Sequence, residues 1–276
     1  MGDCKFCGES AGLFHHQHKE CAAAHEAAIA QITSALDQAL TVEHVSDSLV
    51  GEIEGVSQRG HLAQSEQRAL VIQSWSRALD RFISEGALDE AREARLQQLM
   101  KMFGLTKEEL NQTHSFERLV KAAVLREIMH GQVPRRFEVT GNLPLNFQKG
   151  EQLVWAFAHT EYLEDAIRRE YVGGSSGVSV RVAKGVYFHT SAFKGHPVDR
   201  NVRTHVDTGV MAVTDKNLYF AGSRKSLRIP FGKMVSFQPY TDGLGLTRDA
   251  STAKPQVFIT GDGWFTYNLV VNLAKL

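Results

Sequence analysis

Three cysteines make up the chain's full complement, and all lie in the first 21 residues in the pattern Cys4-x2-Cys7-x10-His18-x2-Cys21. Thiolate and imidazole are the donors that tetrahedral zinc prefers, and four of them close the site with no position left open for a substrate. The expected cofactor is therefore one structural Zn²⁺ per chain, held by Cys4, Cys7, His18 and Cys21. His15 and His16 compete with His18 from the loop after Gly12-Leu13-Phe14, and His25, one helical turn beyond Cys21, is a further candidate ligand or supporting group. His18 is preferred because its spacing to Cys21 suits the first turn of a helix. A Cys4/Cys7 redox pair is disfavoured, since no buried strand precedes Cys4 as it would in a thioredoxin-like unit. So short a segment buries too little apolar surface to fold alone, so metal binding would supply its folding energy.

Elsewhere the residues that do chemistry are scattered. His25-Glu26 lacks the second histidine of H-E-x-x-H. His189, His196 and His205 flank a segment carrying Asp199, with Asp207 close by; a His–Asp site is conceivable there, and loop or sheet-edge histidines are the plainer reading. The glycine run Gly173–Gly177 lacks the Lys-Ser/Thr of a phosphate-binding loop and reads as a strand connection. Among the basic residues of the second half, Arg181, Lys184, Arg224, Lys225 and Arg228 are candidate ligands for a phosphoinositide headgroup. The competing reading makes them solvated charges that discourage edge pairing. Lys5, His15, His16 and Lys19 are the cations with which the N-terminal segment would touch nucleic acid, too few for strong binding.

The elements behind these residues change character near Pro144. From about Ala22 to Gly131 apolar residues return every three or four positions: Ala28, Ile29, Ile32, Leu36 and Leu40; Leu70, Trp75, Leu79, Phe82 and Ile83; Leu96, Leu99, Met100 and Phe103. Asp89 caps the helix that ends at Gly104, Thr106-x-x-Glu109 is a capping box, and a last helix runs from about Phe116 to His130. After Pro144, runs rich in Val, Phe, Tyr and Thr predict antiparallel strands at Gln152–His159, Val178–Val182, Val186–Thr190, Val210–Thr214, Asn217–Ala221, Ser226–Ile229, Val235–Tyr240 and Gln256–Thr260. Thr241-Asp242-Gly243 is a type I′ turn candidate, and an amphipathic helix follows from about Gly263. The expected class is α+β in three parts: a metal-binding module over 1–25, a helical bundle over 26–137, and an antiparallel barrel with a terminal helix over 145–276.

Three resemblances attach to these motifs. Cys4-Lys5-Phe6-Cys7-Gly8, Gly12-Leu13-Phe14 and His18-Lys19-Glu20-Cys21 resemble the zinc ribbons that open many bacterial proteins. Asp80–Asp89 with the Glu/Arg-rich helix after it resembles an EF-hand turn or a TerB-like helical domain; Phe82 and Ala87 fall where calcium ligands or their polar flanks are needed, which argues against calcium. Gly209–Gly222 followed by Ile229-Pro230-Phe231-Gly232-Lys233-Met234-Val235 resembles the hairpin and strand of bacterial PH-like, GRAM-like domains. Together they resemble uncharacterised bacterial proteins joining a zinc ribbon to such a barrel. That resemblance implies a partner-binding barrel and brings no activity.

Composition narrows the class. The 276 residues hold 31 basic and 31 acidic side chains, so no global field draws the chain to nucleic acid or membrane. No apolar run is long enough for a transmembrane segment, and the polar start lacks the apolar core of a signal peptide. With thiols reserved for metal, the expected location is the cytoplasm. The expected function is a non-enzymatic interaction or adaptor protein with a protein partner; the alternatives are a lipid-headgroup binder and nucleic-acid binding through the ribbon.

Overall fold

The computed structural model describes residues 2–12, 15–42, 45–85, 88–136, 143–165, 168–172, 178–183, 186–190, 196–200, 203–250 and 255–276, with side chains for all of these except 165–203. The chain divides into two compact units, Met1–Ala122 and Ala123–Leu276. Among the described residues the fold is α+β, with seven helices and a seven-stranded antiparallel sheet.

The first unit opens with a knuckle closed by an Asp3–Ser10 bridge and continues through α1 (Lys19–Ala39), α2 (Leu49–Arg59), α3 (Gln64–Ser84), α4 (Glu90–Met102), α5 (Lys107–Asn111) and the start of α6 (Ser115–Met129). The apolar stripes meet in one core: Ala28, Ile32, Leu36 and Leu40 from α1, Ile53 from α2, Trp75, Leu79 and Phe82 from α3, and Leu96 and Leu99 from α4. Each fully buried side chain of this kind is worth about 1.5–3 kcal/mol, so packing rather than propensity holds these helices. Trp75 buries its ring and donates Nε1–H to the Leu96 carbonyl at 2.8 Å, tying α3 to α4. Asp89 caps α4 by accepting from the Arg92 amide at 2.7 Å, and Thr106 with Glu109 forms the capping box of α5. In the Asp80–Asp89 segment, Asp80 pairs with Arg118 at 2.5 Å and Asp89 is spent on its cap.

In the second unit the sheet runs in the order β8 (Ser226–Pro230), β7 (Asn217–Gly222), β6 (Arg203–Thr214), β1 (Leu153–Asp165), β11 (Gln256–Ile259), β10 (Gly243–Arg248), β9 (Met234–Pro239). Two separate two-stranded antiparallel pairs, β2 (Arg168–Val172) with β5 (His196–Arg200) and β3 (Val178–Ala183) with β4 (Val186–Thr190), lie in the β1–β6 connection. A three-residue turn of helix, Phe231–Lys233, links β8 to β9, and α7 (Gly263–Leu273) follows β11 and packs on β9 and β10. One face of the sheet and α7 share an aromatic core: Tyr162, Phe220 and Phe258 form one cluster, and Trp155 and Phe157 meet Phe265 of α7 at 4.8 and 6.0 Å.

Some expectations need correction. The first strand continues past His159 to Asp165, because a register shift between Phe157 and Thr160 admits His159 at φ 54° and bends the strand without ending it. Gly243–Arg248 is a strand, and β2 and β5 add two more where loops were expected. The Thr241–Gly243 turn is not type I′: none of its residues has positive φ. Gly243 is needed instead for close approach, since a Cβ there would meet the Phe258 carbonyl at 2.1 Å.

Candidate metal centre

The knuckle and the first turn of α1 bring the four expected ligands together. Cys4 and Cys7 sit on a tight turn in which Gly8, at φ 76°, sends its amide back to the Cys4 carbonyl at 2.8 Å. His18 is the residue just before α1 and Cys21 lies in its first turn, so the x2 spacing places both on one side of the helix start. One donor atom from each of Cys4, Cys7, His18 and Cys21 lies within 4.8 Å of all the others. Among the described residues His15, His16 and His25 do not join them.

The dimensions fit a tetrahedral ion. His18 Nδ1 lies 3.4 Å from Cys7 Sγ and 3.6 Å from Cys21 Sγ. Metal–nitrogen bonds of about 2.0 Å and metal–sulfur bonds of about 2.3 Å at a tetrahedral angle give an edge of roughly 3.5 Å. The far side of the ring is fixed too: Nε2–H donates to the Ser10 carbonyl at 3.1 Å, which leaves Nδ1 as the free donor facing the thiols. Sequence reasoning missed this backbone support, because a carbonyl carries no side-chain signal.

Electrostatics divides the ligands. Burial pushes the Cys4 thiol up, but amide donors from Cys7, His18 and Phe6 outweigh it and bring it down to about 6. Cys21 is pushed up to about 11 by burial and by its contacts with Cys7 and Cys4. His18 is raised, chiefly by its bond to the Ser10 carbonyl. Cys4 is thus ready to bind as thiolate, whereas Cys21 gives up its proton to an arriving cation.

Compared with family models and with curated proteins, the chain matches none. The site is read from its own geometry, and so are the remaining candidates.

His25 is not part of the cluster: its Nδ1–H donates to the Gly60 carbonyl at 3.1 Å. Arg224 and Lys225 form the turn between β7 and β8, where both backbone amides donate to Asp207 Oδ2 at 2.6 and 2.8 Å. The same carboxylate accepts from the Thr208 amide and the Ser223 hydroxyl, and the Arg224 amide leads the donors that hold it below the usual carboxylate range. Asp207 is 3 % exposed, so its work is to clasp this turn. Arg228 lies farther along β8, opposite Tyr219. The side chain of Arg181 and all of Lys184 lie outside the described residues, as do the side chains of His189, His196 and Asp199. His205 bonds Thr208 through Nε2 at 2.9 Å. Among the described residues, no helix is long and apolar enough to cross a membrane.

Proposed function

We propose that this protein is a non-enzymatic interaction protein: a structural zinc site stabilises its N-terminal unit, and a PH-like sheet offers an edge strand to an extended protein segment. Four protein donors of Cys₃His type at tetrahedral spacing support zinc, with no coordination position left for chemistry. For the PH-like reading the support is topological. Counting only the seven main strands in chain order, the sheet is 4-3-2-1-7-6-5, a meander closed through its first and last strands and followed by a helix.

A length argument supports a rolled, barrel-like form of that sheet. β8 and β9 occupy opposite edges, yet three residues join them. A flat sheet of seven strands is about 29 Å wide at about 4.8 Å per spacing, whereas the linker reaches at most about 14 Å. The short link favours a curled sheet in which the Pro230 end of β8 lies near the Met234 end of β9.

The observation that carries the partner reading is the edge of β9. Among the described residues no strand pairs with its far side, and it runs Met234–Pro239 without a charged residue, with Val235 65 % exposed. The other edge, β8, carries the charged Arg228, a device that protects an edge from pairing. An uncharged edge beside a packed helix suits main-chain pairing with an extended peptide. The lipid-headgroup reading has less support, because Asp207 lies 3.9 Å from Arg224 Nε and offsets the positive charge at that turn.

Random-peptide display against the zinc-loaded chain, followed by amide chemical-shift mapping, tests the proposal. Selected peptides should shift residues of β9 and α7, and Val235→Lys should abolish their binding. Shifts confined to other elements, or binding indifferent to Val235→Lys, would remove β9 as the docking edge.

A further inference from the structure

Between the metal ligands and the helices lies a contact that neither role explains. Phe6, inside the knuckle between Cys4 and Cys7, stacks its ring on His25 at 4.5 Å between centroids and 36° between planes. His25 is 9 % exposed and sits one turn beyond Cys21 on α1. Its Nδ1–H reaches the carbonyl of Gly60, the C-terminal cap of α2, and its Nε2 lies 3.5 Å from Glu66 Oε1 in the first turn of α3. The other oxygen of Glu66 accepts the Ala63 amide at 2.8 Å, at the start of α3. Gly60 allows the approach: a Cβ there would stand 2.2 Å from Ala28 Cβ and 3.2 Å from the Ala24 carbonyl. One aromatic pair therefore connects the metal knuckle to the C-terminal end of α2 and the N-terminal end of α3.

We infer that Phe6 and His25 form a joint through which zinc loading controls the order of the α2–α3 junction, which contains no metal ligand. The metal holds Cys4 and Cys7 against His18 and Cys21, and so holds Phe6 on His25. Without it only weak hydrogen bonds join the thiols to His18, Phe6 leaves, and one face of His25 opens to water. The Gly60 and Glu66 contacts then lose the packing that orients the imidazole. Coupling of this kind is reciprocal: whatever zinc adds to the junction, an ordered junction returns to zinc affinity by the same factor.

The inference rests on the zinc reading, so native mass spectrometry first counts the metal in each sample. Hydrogen exchange of the full chain is then compared with and without a chelator. Stripping zinc should speed exchange in residues 56–66 by about tenfold or more while α4 stays protected. Phe6→Ala should produce the same acceleration with zinc still bound, and Phe6→Leu should restore part of the protection. From the far end, Gly60→Ala should weaken zinc in competition with a chelating dye several-fold, although Gly60 is not a ligand. If chelation alters exchange only within residues 2–22, or if zinc-loaded Phe6→Ala exchanges like wild type over 56–66, the joint does not exist. Zinc absent from the untreated chain would instead overturn the metal reading itself.

Discussion

The knuckle and the sheet solve the same problem with opposite means. The knuckle spends four polar donors on one point: Cys4 is 2 % exposed, and Cys7 and Cys21 are partly exposed. The sheet distributes its stability over Trp155, Phe157, Tyr162, Phe220, Phe258 and Phe265, each 7 % exposed or less. A site that one ion would hold would fail all at once when the ion leaves. A core held by six rings fails by increments, one cavity at a time.

That contrast can be pressed at several strengths. Chelation or Cys7→Ser removes the whole of the knuckle's source of order; structural zinc sites are worth on the order of 10 kcal/mol, so residues 2–22 should lose all exchange protection while the sheet keeps its own. Phe265→Ala is the corresponding blow to the sheet, expected to lower the unfolding free energy of the second unit by about 3–5 kcal/mol in urea and to leave zinc stoichiometry unchanged. Gly263→Ala should cost about 1–3 kcal/mol, because the added Cβ would meet the Tyr240 carbonyl at 1.9 Å and backbone cannot swing aside as a side chain does. If that variant unfolds at the wild-type urea midpoint, α7 is not seated on the β9–β10 turn as described.

The smallest effect is in acid. Arg68 binds Glu109 through two nitrogens at 2.9 and 2.7 Å, and this pairing, with the Thr106 amide, holds the Glu109 carboxyl down at about 2. The folded value lies below the ordinary carboxylate value, so the stabilisation is complete above about pH 5 and is lost as pH falls towards 2. Wild type should be the more stable at neutral pH, and the gap to Glu109→Gln should close across that window. A gap that does not vary with pH would mean that the ion pair does not contribute through its charge.

Legibility in the sequence followed the range of the interaction. The four ligands were readable because short spacings dictate which side of a turn or helix a donor occupies, and Asp89 and Thr106 were readable because a cap acts on amides three residues away. β10 was not: Gly243-Leu244-Gly245-Leu246 has the glycines of a turn, and what demands them is Phe258 across the sheet and Tyr240 beside it. The extent of β1 was hidden by the same limit, since a register shift is a property of two strands and one strand's alternation does not contain it. His25 shows the limit most plainly. Its spacing from Cys21 suggested a ligand or a support for one, and its actual partner is a carbonyl 35 residues away.

β1 is both the first of the seven main strands in sequence and the central one, paired with β6 on one side and β11 on the other. Its two partners are made at different times. During synthesis β6, β7 and β8 can zip onto β1 as a growing meander, but the opposite rim of β1 has no mate until Gln256–Ile259 has emerged from the ribosome, roughly ninety residues later. Until that moment the nascent unit carries an open strand whose Tyr162 lacks its stacking partner Phe258, and a contact so distant in sequence is slow to form. The last strand and helix thus act as the closing stitch of the second unit, and a chain stalled or cut before them would be the form most in need of a chaperone.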